Sequence, residues 1–167
     1  MTVRRLLRLC ALLMLGLLAS CASTSSRMAV PYEIVLTADE QLNPDATGRP
    51  SPVQVFVFEL RSGSTFESRD FFALQSDPQQ ALQADLLNVE QIVLRPGQTH
   101  TFKRPGDLQA TAVGVVVGYR ELDASVWRVL LPLPESRTTN IYKFWQSAPD
   151  AVQVSLQLRK NAIHVVD

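Results

Sequence analysis

Apolar residues recur at every second position through most of this chain, and that alternation restricts its fold more than any other feature. Tyr32, Ile34 and Leu36 fall on one side of an extended run, and Phe56, Phe58 and Leu60 oppose Val53, Val55 and Val57 in the next. Ile92 and Leu94 follow, then Val113, Val115, Val117 and Tyr119, then Trp127, Val129, Leu131 and Leu133. Val152, Val154, Leu156 and Leu158 repeat the pattern, and Ile163 with Val165 closes it. Successive side chains of a strand point to opposite faces, so this spacing reads as half-buried β-strands. Turn chemistry separates the runs at Arg95-Pro96-Gly97, Arg104-Pro105-Gly106, Glu121-Leu122-Asp123 and Lys160-Asn161. Short strands punctuated this often predict a mainly β domain, a two-sheet antiparallel sandwich.

One stretch departs from the period of two. Ser64-Thr65-Phe66-Glu67 has the form of a capping box, and Asp77-Pro78-Gln79-Gln80 places a capping residue, a first-position proline and a third-position glutamine in order. Ala81, Leu82, Asp85, Leu86 and Val89 continue at helical spacing, so a small helical insert is expected over about 64–89.

The first twenty residues are of another kind. Arg4, Arg5 and Arg8 precede the unbroken apolar or small run Leu9 to Ala19, and Leu18-Ala19-Ser20-Cys21 ends it. A membrane-spanning helix needs roughly 20 apolar residues, so this run is a secretory signal, residues 1–20, rather than a span. The Leu-Ala-Ser-Cys sequence resembles the lipobox of bacterial lipoproteins, which implies lipidation at Cys21 and cleavage just before it. Each buried methylene contributes about 0.8 kcal/mol, so several acyl chains make a lasting anchor. Residue 22 is Ala rather than Asp, and resemblance to other lipoproteins then implies sorting to the outer membrane. Ser/Thr-rich residues 21–29 read as a flexible tether, and residues 30–167 as the sandwich domain.

With the signal removed, 13 basic and 16 acidic groups remain, a mildly acidic balance unsuited to nucleic acid. Cys10 leaves with the signal and Cys21 carries lipid, so no disulfide supports the fold. No catalytic or metal-binding set is apparent. His100 and His164 lie far apart in alternating runs, and clustered acidic spacings and phosphate-binding glycine motifs are missing. Gly114 and Gly118 sit inside a strand pattern and read as sites of close packing or a bulge. Trp127 and Trp145 are core residues on this reading, with a sugar-stacking platform as the alternative. No cofactor is expected beyond the covalent lipid.

The remaining feature is a loop, Leu42-Asn43-Pro44-Asp45-Ala46-Thr47-Gly48-Arg49-Pro50-Ser51-Pro52, far longer than an ordinary hairpin connection. Its prolines lower the entropy lost on ordering, Gly48 permits a tight bend and Arg49 offers a forked donor. Such a loop is a preshaped protein-binding element or a solvated linker stiffened by proline.

The combination of a lipobox, a first strand ending Leu36-Thr37-Ala38, the loop Leu42-Asn43-Pro44-Asp45 with Gly48-Arg49-Pro50-Ser51-Pro52, and Phe71-Phe72-Ala73-Leu74 resembles the outer-membrane lipoprotein of the type VI secretion system, the J component or TssJ family. Asp85-Leu86-Leu87, Leu94-Arg95-Pro96-Gly97, Val113-Gly114-Val115-Val116, Tyr119-Arg120 and Trp127-Arg128 extend the resemblance over nearly the whole mature chain. It implies a transthyretin-like sandwich and a protein that is not an enzyme. It further implies lipid attachment to the periplasmic face of the outer membrane, where the protein tethers the secretion membrane complex by binding the periplasmic C-terminal domain of the inner-membrane M component. On this sequence the implied partner-binding loop is Leu42, Asn43, Pro44, Asp45, Gly48, Arg49, Pro50 and Ser51. Asn43, Asp45 and Arg49 are then expected to make polar contacts and Leu42 and Pro50 apolar ones, while Pro44 and Gly48 set the shape. The competing reading is a periplasmic lipoprotein that binds a small ligand or carbohydrate in a sandwich of the same kind.

Overall fold

A computed structural model describes residues 25–140 and 151–166 of the chain. Cys21, the signal segment and Trp145 lie outside the described residues. The chain divides into two compact units, Met1–Arg27 with Thr138–Ser147, and Met28–Arg137 with Ala148–Asp167. The strands in chain order are β1 (Ser25–Met28), β2 (Tyr32–Ala38), β3 (Val53–Leu60), β4 (Leu86–Leu94), β5 (Thr99–Arg104), β6 (Ala112–Val117), β7 (Arg128–Pro132), β8 (Arg137–Asn140), β9 (Val152–Leu158) and β10 (Ile163–Val166).

β1 and β8 form a two-stranded sheet of their own. The flexible tether expected over 21–29 is therefore corrected at residues 25–28, which are strand. Backbone pairing needs no apolar alternation, so Ser25-Ser26-Arg27-Met28 gave no sequence signal for it.

The larger unit holds two four-stranded sheets, in the orders β10-β9-β2-β5 and β4-β3-β6-β7. Every pairing in them is antiparallel except β2 with β9, which runs parallel from Tyr32 opposite Val152 to Ala38 opposite Leu158. The expected two-sheet antiparallel sandwich is thus the fold, with this one parallel pairing, which alternation, alike in either direction, does not announce.

β3 is covered on both sides, which explains why nearly every residue of Val53–Leu60 is apolar. Val53, Val55 and Val57 join Ile34, Leu36, Val113, Val115, Leu156 and Leu158 in the core between the sheets. Phe56, Phe58 and Leu60 face outward and are capped by Phe66, Phe71, Leu74 and Leu82 from the insert. Burying a side chain of this size contributes roughly 1.5–3 kcal/mol, so the insert is part of the stable fold. Gly114 makes room for it, because a Cβ there would fall 2.6 Å from the Phe66 ring.

The insert consists of α1 (Ser64–Ser68), α2 (Phe71–Ser76), α3 (Pro78–Leu82) and a 3-10 turn over Gln83–Asp85. Asp77 caps α3 by accepting the Gln80 amide at 2.9 Å ahead of Pro78, as its sequence indicates. Asp70 caps α2 in the same way through the Ala73 amide. The capping box at Ser64 does not form, since Ser64 is already helical and no side chain caps α1. The insert also ends before 89: Leu86 begins β4, whose Leu86 and Val89 pack on the outer core from a strand. Their spacing of three is helical and would split them between the faces of a regular strand, but the register shifts opposite Glu59 and Leu60, and this irregularity returns both to one face. Asp85, the polar residue in that pattern, accepts the Thr65 hydroxyl, and its backbone carbonyl accepts the Arg61 amide, which closes the insert onto the end of β3.

Candidate functional site

The long connection after β2 is ordered from its base outward. Leu42 is fully buried among core residues, and Asn43 is buried beside it with a positive φ of 47°. Asn tolerates this left-handed backbone better than most residues because its short polar side chain bonds locally. Here that side chain joins separate parts of the chain. Its nitrogen donates to the Pro52 carbonyl at 3.0 Å, its oxygen accepts the Arg120 amide at 2.8 Å, and its own amide donates to the Lys160 carbonyl at 3.0 Å.

The outer part is closed by Asp45. One carboxylate oxygen accepts the Thr47 amide at 2.8 Å, the Thr47 hydroxyl at 2.7 Å and the Arg49 amide at 3.0 Å. The other accepts the Arg49 guanidinium through Nε and Nη2, each at 2.9 Å. The backbone closes too, with the Asp45 amide donating to the Arg49 carbonyl at 2.8 Å and Gly48 turning at a φ of 81°. The Thr47 hydroxyl first, and then the Arg49 amide, stabilise the charged carboxylate and hold Asp45 down at about 2.

This arrangement separates the residues that the sequence grouped. Leu42 and Asn43 face into the protein and offer no contact surface, so their expected partner contacts are corrected to structural roles. Pro44, Asp45 and Ser51 are half-buried, and the Ser51 amide donates to the Leu42 carbonyl at 3.0 Å. The exposed tip is Ala46-Thr47-Gly48-Arg49-Pro50, with the Arg49 side chain 79% accessible although its inner edge grips Asp45. The loop is thus a self-bonded projection rather than a solvated linker.

Sequence reasoning missed the wall beside this loop. Asn43 and Pro44 meet Tyr119, Arg120, Lys160 and Asn161 around a cavity of about 130 Å³. These residues come from three distant segments, so no spacing in the sequence could announce them. The Tyr119 hydroxyl is buried with no hydrogen-bond partner among the described residues, and burial raises its pKa.

The remaining residues singled out from the sequence lie away from the loop. His100 lies edge-on to Phe102 at 4.7 Å on β5, and His164 is exposed on β10. Among the described residues no three His, Cys, Asp or Glu side chains gather where they could hold a metal ion. Trp127 packs against both cores, edge-on to Phe71 at 5.7 Å, with the Arg128 guanidinium 4.8 Å above its ring.

Comparison with known proteins agrees with this architecture. The crystal structure of the T6SS lipoprotein TssJ1 from Pseudomonas aeruginosa is similar with a TM-score of 0.72 and 30% identity, covering 83% of this chain and 95% of that one. The structure of Serratia marcescens Lip, a membrane-bound component of the type VI secretion system, gives 0.70 and 34%, covering 83% and 97%. A chain of a type VI membrane complex gives 0.68 at 24% identity, covering 83% and 99%, and shows the fold alone. No curated protein sequence matches the chain. Residues 31–161 match the family model described as type VI secretion lipoprotein, VasD, EvfM, TssJ, VC_A0113. That family is a structural lipoprotein component of the secretion system and is not known as an enzyme family. Matched by that family model over most of its length and alike in fold to two solved lipoproteins at 30% and 34% identity, this chain belongs to the type VI secretion lipoprotein family.

Proposed function

We propose that this lipoprotein tethers the type VI secretion membrane complex to the periplasmic face of the outer membrane. Lipid on Cys21 fixes one end. The tip Ala46–Pro50 binds the periplasmic domain of the inner-membrane M component, and the sandwich carries load between the two. One observation carries the binding role: the exposed tip is held in a single shape by Asp45, so little conformational entropy remains to be lost on association. Copies confined to one membrane also present a high effective concentration to an oligomeric partner, which compensates for a small contact.

The test replaces residues 46–50 by a Gly/Ser segment of equal length and measures binding to the purified M periplasmic domain by calorimetry. Leu42, Asn43 and Ser51 stay, because removing them would disturb the fold and confound the result. Loss of binding by a variant that still unfolds cooperatively, with the wild-type circular-dichroism spectrum, is expected, and wild-type affinity would overturn the proposal.

A further inference from the structure

Apart from the loop, the surface feature least explained by folding is an aromatic cleft beside the insert. α2 begins with Phe71 and Phe72, whose rings meet edge to face at 5.5 Å. Phe71 turns inward, whereas Phe72 is 66% exposed. Leu122 and Trp127 supply the opposite wall, and the space between measures about 290 Å³. An exposed phenylalanine at the mouth of a cleft walled by a second ring and an indole contributes nothing to the domain's own core, and apolar surface of this kind marks contact sites.

The charges at the mouth indicate what enters. Among the described residues, Asp70 and Asp123 line the cleft and no cationic side chain does. Asp70 caps α2 through one oxygen, and Asp123 is exposed and makes no ion pair among the described residues. Aromatic walls under a carboxylate rim suit a long cationic side chain, whose stem packs on the rings while its head meets the acids. Trp127 already supports one such group from within the chain, the Arg128 guanidinium.

Location links the cleft to the loop. Gln75 of α2 donates to Gln54 at 2.8 Å, near the β3 end from which the loop emerges. The segment following β6 provides both Leu122 in the cleft wall and the Arg120 amide held by Asn43.

We infer that the Phe71, Phe72, Leu122 and Trp127 cleft is a second docking site, continuous with the loop, that receives an arginine or lysine side chain and an adjoining apolar residue from the same partner. This rests on the M component being that partner. An aromatic anchor at the centre and charges at the rim divide the work in the usual way, the first setting the dissociation rate and the second the salt dependence of association.

The experiment uses the mature chain without lipid and the purified M periplasmic domain, with binding followed by interferometry at low and high ionic strength. Phe72→Ser should weaken binding roughly tenfold by faster dissociation. The double variant Asp70→Asn/Asp123→Asn keeps a capping residue at 70 and should flatten the salt dependence seen in the wild type. Both positions are at the surface, and unchanged melting temperatures establish that the variants fold. If the wild type binds and the loop-tip replacement abolishes binding, while Phe72→Ser and the double Asn variant behave as wild type, the cleft inference falls and the tethering proposal stands. If the wild type does not bind, both fall. Self-association of the chain that Phe72→Ser removes would make a second copy the occupant and overturn the inference.

Discussion

The side-chain oxygen of Asn43 accepts the backbone amide of Arg120 at 2.8 Å, so one buried residue ties the base of the loop to the connection between β6 and β7. The same side chain reaches the Pro52 carbonyl at the loop's far end. Asn43→Ala removes both bonds, leaves buried partners unsatisfied and places a Cβ residue without local bonding at positive φ. We expect a loss of about 2–4 kcal/mol in urea unfolding. Asn43→Gly loses the same bonds without the backbone penalty and should recover about 1 kcal/mol of it. Equal losses in the two variants would show that the φ of 47° carries no strain.

Asp45 provides a titration test of the closed tip. Its folded pKa lies below the ordinary carboxylate value, so its contribution to stability is present above about 3.8 and is lost as pH falls toward about 2. NMR titration of the Asp45 carboxyl carbon should give a midpoint near 2, and Thr47→Ala should move it upward by removing the main stabilising bond. A midpoint near 3.8 in the wild type would mean that the tip is open in solution.

Glu59 acts in the opposite sense. Its side chain is buried, one oxygen has no hydrogen-bond partner among the described residues, and the carboxyl group accepts the Tyr32 hydroxyl. Burial is the largest influence and raises its pKa. The folded state therefore binds a proton more readily than the unfolded one, and stability falls as pH rises above the ordinary value of 4.5. Chemical denaturation across pH 5 to 8 should show this decline, since Asp45 is fully ionised there. Glu59→Gln should remove the decline and stabilise the neutral-pH protein by about 1 kcal/mol. A decline that persists in Glu59→Gln would assign it to another group.

Gly114 tests the insert. A methyl group there would overlap the Phe66 ring, which sits 5.6 Å from Phe58. Gly114→Ala should cost about 1–3 kcal/mol, and adding Phe66→Leu should recover part of this by opening space. Additive losses in the double variant would contradict the packing described.

These relationships show where sequence is informative and where it is not. The two faces of β3 were legible because Val53, Val55 and Val57 and Phe56, Phe58 and Leu60 are both apolar sets. The position of the loop and the sharp turn at Gly48 were legible because proline and glycine restrict the backbone locally. The inward direction of Leu42 and Asn43 was not, because Arg120 and Lys160 approach through folding and bond through their backbones, which carry no sequence identity. For the same reason β1 and the parallel pairing of β2 with β9 left no trace. Leu86 and Val89 satisfied helical spacing and share a face of β4 only because the register with β3 shifts between them, an irregularity that no sequence period announces. Asp45 and Arg49 were expected, from the family resemblance, to make polar contacts with a partner, whereas their carboxylate and guanidinium bond to each other.

The most direct test of the tethering account is site-specific photocrosslinking in cells that produce the secretion system. A photoreactive residue at Thr47 or Pro50 reports on the loop tip. One at Leu108 reports on the opposite end of the sandwich, between β5, which ends across from Tyr32, and β6, which starts across from Leu60. The account predicts crosslinks to the M component from 47 and 50 and none from 108. Crosslinks from 108 with none from 47 or 50 would contradict it.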